Sequence, residues 1–304
     1  MSSRLPPRSA ASDPYLHTRR LTSRDRLLLS WLAEHYLLST HQVTKALFPS
    51  GRSARLRLTT LHRIQALDRF VDTTAAASNQ YLYALGPLGL LLHRDAYHDP
   101  DTPAAKPPRS SRDRANRIVG SRKLRHLLGV NEFFTDLYAH TRTHPHARLE
   151  RWWSEQHATA AYGAAGVQPD GHGVWTVGDT TVGFFLEYDN GTEPLGRLLA
   201  KLRAYERVTH FGPRYPILFR VPSPGRERNL LHALTDAPAT LPMATAVHGT
   251  DPAGPVWTLA SEPGWPRHLH ELPSDHGPYT AMNPNRFVRR DPEPPTDQPH
   301  HTTP

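Results

Sequence analysis

The stretch Ser53-Ala54-Arg55-Leu56-Arg57-Leu58-Thr59-Thr60-Leu61-His62-Arg63-Ile64-Gln65-Ala66-Leu67 decides how the N-terminal third folds. At about 100° per residue, Ala54, Leu58, Leu61, Ile64 and Leu67 fall on one continuous arc. Arg55, Thr59, His62 and Arg63 fall on the opposite arc, with Arg52 just before it. The spacing predicts a helix over 53–67 with one packed side and one free, cationic side. Arginines on such a face can pair bidentately with guanine or clamp phosphates, and a helix of this build fits the major groove. Arg52, Arg55, Thr59, His62 and Arg63 are therefore the candidate DNA-contacting residues. A solvated arginine face, or a module of the same shape that binds protein, is the other meaning the pattern admits.

Upstream, Thr22-Ser23-Arg24-Asp25 has the form of a capping box with Asp in place of Glu, opening a helix over 24–36. Leu27, Leu28, Trp31, Leu32 and Tyr36 supply its apolar side. Ser39 or Thr40 caps a short helix over 42–47, which Phe48-Pro49-Ser50-Gly51 ends. Downstream, 70–72 and 81–85 read as two short strands joined by the polar loop 73–80. A hairpin directly after the third helix is the wing of a winged helix-turn-helix, placed at 21–97. Gly86-Pro87-Leu88-Gly89 starts a further apolar helix.

Charge is distributed to match. Residues 1–123 carry 20 Lys+Arg against 9 Asp+Glu, and residues 124–304 carry 16 against 19, so a front of +11 precedes a back of −3. A basic module joined to a mildly acidic one suggests a polyanion-facing element attached to something else. There are no cysteines, which excludes disulfides and thiolate metal sites and fits a reducing interior. No run approaches the roughly 18 apolar residues of a membrane span, and the first residues lack the apolar core of a secretory signal. These features read as cytoplasmic, with no membrane partner. The 30 prolines mark punctuated segments: a polar start at 1–20, expected to be disordered, a basic Pro-rich linker at 98–117, and a Pro/His-rich tail at 263–304.

Between linker and tail, 118–262 has the periodicities of a mixed α/β module. Lys123–His140 is an amphipathic helix, 148–154 alternates as a strand, and 174–177 and 182–188 form a hairpin about Gly178-Asp179. Thr192-Glu193-Pro194 starts a helix running to about His210, followed by a strand at 216–221, a helix at 226–234 and a strand at 256–260. The core order is α-β-β-β-α-β. Asp170 stands just ahead of the hairpin, and Glu187 and Asp189 at its far end. Converging carboxylates can hold magnesium and activate water for phosphodiester cleavage.

This order, with Pro169-Asp170 and Glu187, resembles the PD-(D/E)xK nuclease fold. That family's pattern wants lysine two residues after the second acid, where this chain has Asp189; Lys201 on the next helix is the substitute the resemblance offers. It implies a catalytic set of Asp170, Glu187, Asp189 and Lys201, with Asp170 and Glu187 as the metal ligands and Glu132 and Glu155 as supporting acids. Taken whole, residues 20–235 resemble actinobacterial members of the replication-relaxation family of plasmid and mobile-element proteins. The resemblance rests on the N-terminal module, His126–Glu132, Pro169-Asp170, Phe185–Glu193 and Lys201-Leu202-Arg203-Ala204-Tyr205. It implies an α+β or α/β chain acting on double-stranded DNA in plasmid replication, relaxation or conjugative mobilisation. Partners would include other transfer or replication proteins, and a second copy in a homodimer. Two readings follow from it: a magnesium-dependent nickase, or a DNA-binding regulator or relaxosome scaffold whose nuclease-like module is inactive.

Other motifs are absent or weak. No Gly-x-x-x-x-Gly-Lys-Ser/Thr loop marks an ordinary NTPase, and no Gly-x-Ser-x-Gly elbow marks a hydrolase triad. His140, His144 and His146, and His268 with His270, read as surface histidines rather than a zinc site. Of the adjacent Trp152 and Trp153, which face opposite sides of a strand, one is expected in the core.

Overall fold

The computed structural model describes residues 19–71, 80–93, 123–210, 212–235 and 241–276. The expected disordered start (but for its last two residues), nearly all of the wing loop, the basic linker and the tail beyond residue 276 lie outside them. The architecture is mixed α+β, and the chain divides into two compact units, Met1–Ala139 and His140–Pro304.

In the first unit, α1 (Ser23–His35), the two-residue β1 (Leu38–Ser39), α2 (Thr40–Leu47) and α3 (Gly51–Arg63) precede β2 (Leu67–Val71), β3 (Tyr81–Leu85), α4 (Pro87–Leu92) and α5 (Lys123–Thr141). Each of the first three helices is capped by a hydroxyl. Thr22 Oγ1 accepts from the Asp25 amide at 3.3 Å while Asp25 Oδ2 accepts from the Thr22 amide at 2.7 Å, closing the expected capping box. Ser39 and Gln42 repeat it on α2, and Ser50 caps α3 by accepting from the Ser53 amide at 3.2 Å.

The strands pair antiparallel in the order β1-β3-β2, with Leu38 opposite Tyr83 and Phe70 opposite Leu82. Leu28, Leu29, Leu32, Val43, Ala54, Leu58, Leu61, Leu82 and Leu85 are buried among these elements. The third helix stops at Arg63, short of the expected Leu67. Gln65 turns the backbone to φ 58°, a left-handed conformation that ends the helix, and Leu67 pairs with Leu85 in the sheet instead. The end of β3 passes close to that turn: a Cβ on Gly86 would lie 2.4 Å from the Gln65 carbonyl oxygen, so only glycine fits.

Helix α5, expected to open the second module, is fastened to the first unit. Asn131 Nδ2 donates to the Leu37 carbonyl at 2.8 Å, and Gln42 Nε2 donates to the Leu128 carbonyl at 2.7 Å. Lys45 pairs with both Glu132 and Asp136. Leu124 is buried with Leu37, Phe70, Leu82 and Ala84.

The second unit is built on a six-stranded mixed sheet ordered β4-β5-β6-β7-β8-β9: β4 (Ala147–Ser154), β5 (Gly171–Val177), β6 (Thr180–Tyr188), β7 (Ile217–Val221), β8 (Met243–Val247) and β9 (Thr258–Leu259). β4, β5 and β6 run antiparallel, β6, β7 and β8 parallel, and β9 antiparallel again. Helices α6 (Glu155–Tyr162), α7 (Leu195–Ala200), α8 (Leu202–Val208) and α9 (Pro224–Thr235) connect them. Trp153, Phe185, Tyr205, Ile217, Phe219, Leu230 and Leu234 form the main core, so Trp153 is the buried tryptophan of its pair.

The single helix expected over 195–210 is two short ones. At Lys201 the backbone stays helical, but its amide bonds the Leu198 carbonyl three residues back at 3.2 Å, tightening the turn. Helix α6 and strand β8 carry no strong pattern and were not expected.

Asp25 belongs to two structures at once, the α1 cap and an ion pair with Arg57 of α3. Burial alone would raise its pKa, but hydrogen bonds from Arg57 and Thr22 outweigh it and hold the carboxyl below 3.8. A depressed carboxylate contributes stability above its unfolded pKa and loses it as pH falls through the folded value. Asp25→Ala should therefore destabilise the first unit by about 3 kcal/mol at pH 7, and the deficit should shrink below pH 4. Urea unfolding at pH 7 and pH 3 measures both; an equal deficit at the two would contradict this role.

Candidate functional site

Two groups of residues stand out, one in each unit. In the first, α3 turns Ala54, Leu58 and Leu61 inward. Arg52, Arg55 and Arg63 are exposed, and Thr59 and His62 are half-buried. His62 Nδ1 lies 3.0 Å from the Leu67 carbonyl, so that ring is tied to the start of β2. Arg55 and Thr59 also line an open groove with Thr40, His41 and Thr44 of the α2 segment and with Arg69 and Tyr81 of the β2–β3 pair. Arg69 lies over the Tyr81 ring, 4.3 Å from its centroid. Sequence spacing did not place His41, Thr44, Arg69 or Tyr81 beside α3, because that proximity is set by the β1-β3-β2 pairing.

In the second unit Glu187 is the penultimate residue of β6. Its side chain is 1% exposed. A buried carboxylate needs donors, and it has two from the α7–α8 segment. Lys201 Nζ donates to Oε2 at 2.6 Å, and Tyr205 Oη donates to Oε1 at 2.5 Å. Their four-residue spacing, with the Tyr205 amide bonded to the Lys201 carbonyl at 3.3 Å, puts both on the same side of that segment. Asp170 sits one step beyond the Gly171–Leu186 pair of β5 and β6, and its Oδ2 accepts from the Tyr188 amide at 2.7 Å.

The electrostatics follow from this packing. Burial, and then the neighbouring charge of Asp170, push the Glu187 pKa up to about 7, against the pull of Lys201 and Tyr205. Burial lowers the affinity of Lys201 for its proton, but the charge and hydrogen bond of Glu187 outweigh it and raise its pKa. Burial and the same carboxylate push the Tyr205 hydroxyl well above its ordinary range. Lys201 is thus held cationic, and it is the group that keeps a charge on Glu187.

Asp170, Glu187 and Lys201, expected together, are brought together. Asp189 points elsewhere: its Oδ2 accepts from Arg226 Nε of α9 at 2.7 Å and its Oδ1 from the Gly191 amide at 2.7 Å. Arg226 also donates to the Glu193 carbonyl at 2.5 Å, so Asp189 pins the loop after β6. Glu132 is engaged by Lys45 in the first unit, and Glu155 is exposed at the start of α6. Tyr205 had no assigned role in the sequence; its four-residue spacing from Lys201 was the signal that it shares that residue's helix face.

Oxygen donors for a hard cation at this site are Asp170 and Glu187. Among the described residues no three His, Asp or Glu side chains form a metal-binding group. His140 and His144 stack at 3.7 Å between ring centroids, as a pair. No helix among those residues is long and apolar enough to cross a membrane.

Comparison with known proteins gives one match. A family model described as replication-relaxation matches residues 29–217, more than half of the 304-residue chain, from within α1 to the first residue of β7. No curated protein matches, and no solved structure matches.

A carboxylic acid whose folded pKa is raised favours the fold below its unfolded pKa and loses that contribution as pH rises through the folded value. Between about pH 4.5 and pH 7 the Glu187 charge should therefore subtract stability. Glu187→Gln should flatten that part of the stability–pH profile, measured by urea unfolding at half-unit steps. Parallel profiles for the two proteins would show that the carboxyl titrates elsewhere.

Proposed function

Because the chain belongs to the replication-relaxation family, we propose that it binds double-stranded DNA of a plasmid or integrative element through its first unit and nicks it with its second. In this reading α1, α2 and α3 with the β2–β3 pair form a winged helix-turn-helix. Arg52, Arg55, Thr59, His62 and Arg63 face the duplex. The second unit is read as a PD-(D/E)xK-like module with Lys201 replacing the lysine that the pattern places at position 189.

The observation that carries the cleavage reading is the convergence on Glu187. Asp170 before β5, Glu187 at the end of β6 and Lys201 between α7 and α8 come from three separate elements. A strand-end acid that were only solvated would not recruit a lysine and a tyrosine from the next helical segment while lying across from a second acid. Asp170 and Glu187 fit magnesium, which takes one or two protein carboxylates and completes its shell with water and substrate phosphate. Two carboxylates whose charges repel at close range are also what a divalent ion relieves. When bound, such an ion supplies Lewis acidity toward a phosphodiester and lowers the pKa of water.

The roles of the residues follow from their geometry. Asp170 and Glu187 would hold the ion. Lys201, kept protonated by Glu187, presents positive charge to the phosphate as charge builds on its oxygens. Tyr205 fixes the rotamer of Glu187. Asp189 and Arg226 hold the loop that follows β6, and with it the end of the strand.

One observation favours a second reading, in which the module is a non-catalytic regulator or scaffold within a relaxosome. Both Glu187 oxygens already accept strong hydrogen bonds, and the side chain is 1% exposed.

The two readings separate in a nicking assay on supercoiled plasmid with Mg²⁺ or Mn²⁺. The nuclease reading expects open-circular product, lowered on the order of 10²-fold or more by Asp170→Ala and by Lys201→Met. Nicking that survives both substitutions would remove the site, and no nicking with either metal would leave the scaffold. Binding is scored separately by mobility shift. Arg55→Ala with Arg63→Ala should weaken binding and lower the steepness of its salt dependence by about two phosphate contacts.

A further inference from the structure

The exposed side of α3 contains one residue that its chemistry does not explain. Leu56 is 65% exposed. Taking Arg52 as origin at about 100° per residue, Arg55, Thr59 and Arg63 lie at roughly −60°, −20° and +20°, and Leu56 at about +40°. The buried Ala54, Leu58 and Leu61 centre on the opposite side of the helix. Leu56 therefore borders the cationic arc, about 20° past Arg63, and stands well away from the core side. Three exposed arginines, Arg52, Arg55 and Arg63, share this side of the helix, and among the described residues none has a protein partner. Arg57, outside the arc, is by contrast consumed by Asp25. Next to Leu56, the Thr60 hydroxyl folds back to donate to the Leu56 carbonyl at 3.0 Å and adds no outward donor there.

We infer that Leu56 is a specificity-determining residue that packs on the C5-methyl group of a thymine in the major groove. This rests on the DNA-binding reading of α3. Charge complementarity commits the face to a polyanion, since three exposed arginines, unpaired among the described residues, bring it to the phosphates. Within the major groove the thymine methyl is the apolar feature that distinguishes a base edge, and aliphatic side chains are what recognise it. An exposed leucine gains from removing that methyl from water, whereas against a phosphate or a polar base edge it gains nothing and blocks a hydrogen bond. The arginines supply affinity and the leucine supplies the base preference.

The test begins with duplexes selected by the full-length protein from a random library. In the strongest binder, each thymine is replaced in turn by deoxyuridine, which removes the methyl and leaves every hydrogen-bonding group in place. With the wild-type protein, one or two positions should lose about fourfold in affinity. Leu56→Ala should bind the thymine and uracil duplexes equally, while Leu56→Ile keeps part of the difference. Thermal melting of both variants should stay close to wild type, because the side chain is 65% exposed. If no replacement matters to the wild type, or if Leu56→Ala keeps the full loss, the thymine contact is wrong although DNA binding stands. If no duplex is retained even at low salt, the DNA-binding reading fails, and this inference falls with it.

Discussion

Glu187 is where fold and chemistry meet in the second unit. A carboxylate with 1% exposure cannot stay charged in a protein interior without donors, and the chain supplies them from one short segment. β6 is the strand at which the sheet changes from antiparallel to parallel pairing. Its parallel neighbour β7 requires a crossover connection, and that crossover is α7 and α8. The residues that must pass over the end of β6 for topological reasons are thus the ones that carry Lys201 and Tyr205. Had the helix continued regularly, Lys201 would sit mid-helix with its amide bonded four residues back; instead α7 ends there and α8 begins.

The first unit handles its cations differently, and the difference lies along a single helix. Arg57 is spent on Asp25 and joins α3 to the capping box of α1. Arg52, Arg55 and Arg63 are spent on nothing within the described residues. A half-exposed arginine that pairs with a buried acid contributes to stability, because leaving that acid alone would be costly. Exposed arginines without acids contribute charge that only an external partner uses. Both roles come from one amino acid type and are separated by roughly a third to just under half of a helical turn.

Much of this was legible in the sequence where a residue's role is set locally. Caps at Thr22 and Ser39, the break at Pro49, the hairpin at Gly178-Asp179 and the inward arc of α3 all depend on neighbours within a few positions. The end of α3 is not legible locally, because Ile64 and Leu67 continue an apolar arc that the Gln65 turn interrupts, and Leu67 finds its burial in the sheet. Met243-Ala-Thr-Ala-Val247 was missed as a strand because its alanines carry little β preference; it is placed by pairing with β7. The meeting of Asp170, Glu187 and Lys201 was approachable from residue order alone. The reach of Tyr205 to Glu187 and the turning of Asp189 toward Arg226 were not, since both depend on where α8 and α9 settle against the sheet.

The position two residues after Glu187 shows how a departure from a pattern is absorbed structurally. Residues 187 and 189 fall on the same side of the strand line, the second just past its end, and a lysine at 189 would bring its ammonium toward the first acid from the strand itself. Aspartate there would add a third negative charge beside two that already repel, unless it were drawn away. Arg226 does this, taking Asp189 Oδ2 at 2.7 Å while the Gly191 amide takes Oδ1. Gly191 adopts φ 76° to make that turn, which favours glycine. The cation then returns from another element as Lys201. A cation still faces Glu187, but it stands on the crossover rather than on the sheet, so its position depends on how that segment is packed. That links the charge state of the site to Leu198, Leu202 and Val208, the buried residues that seat α7 and α8 on the core.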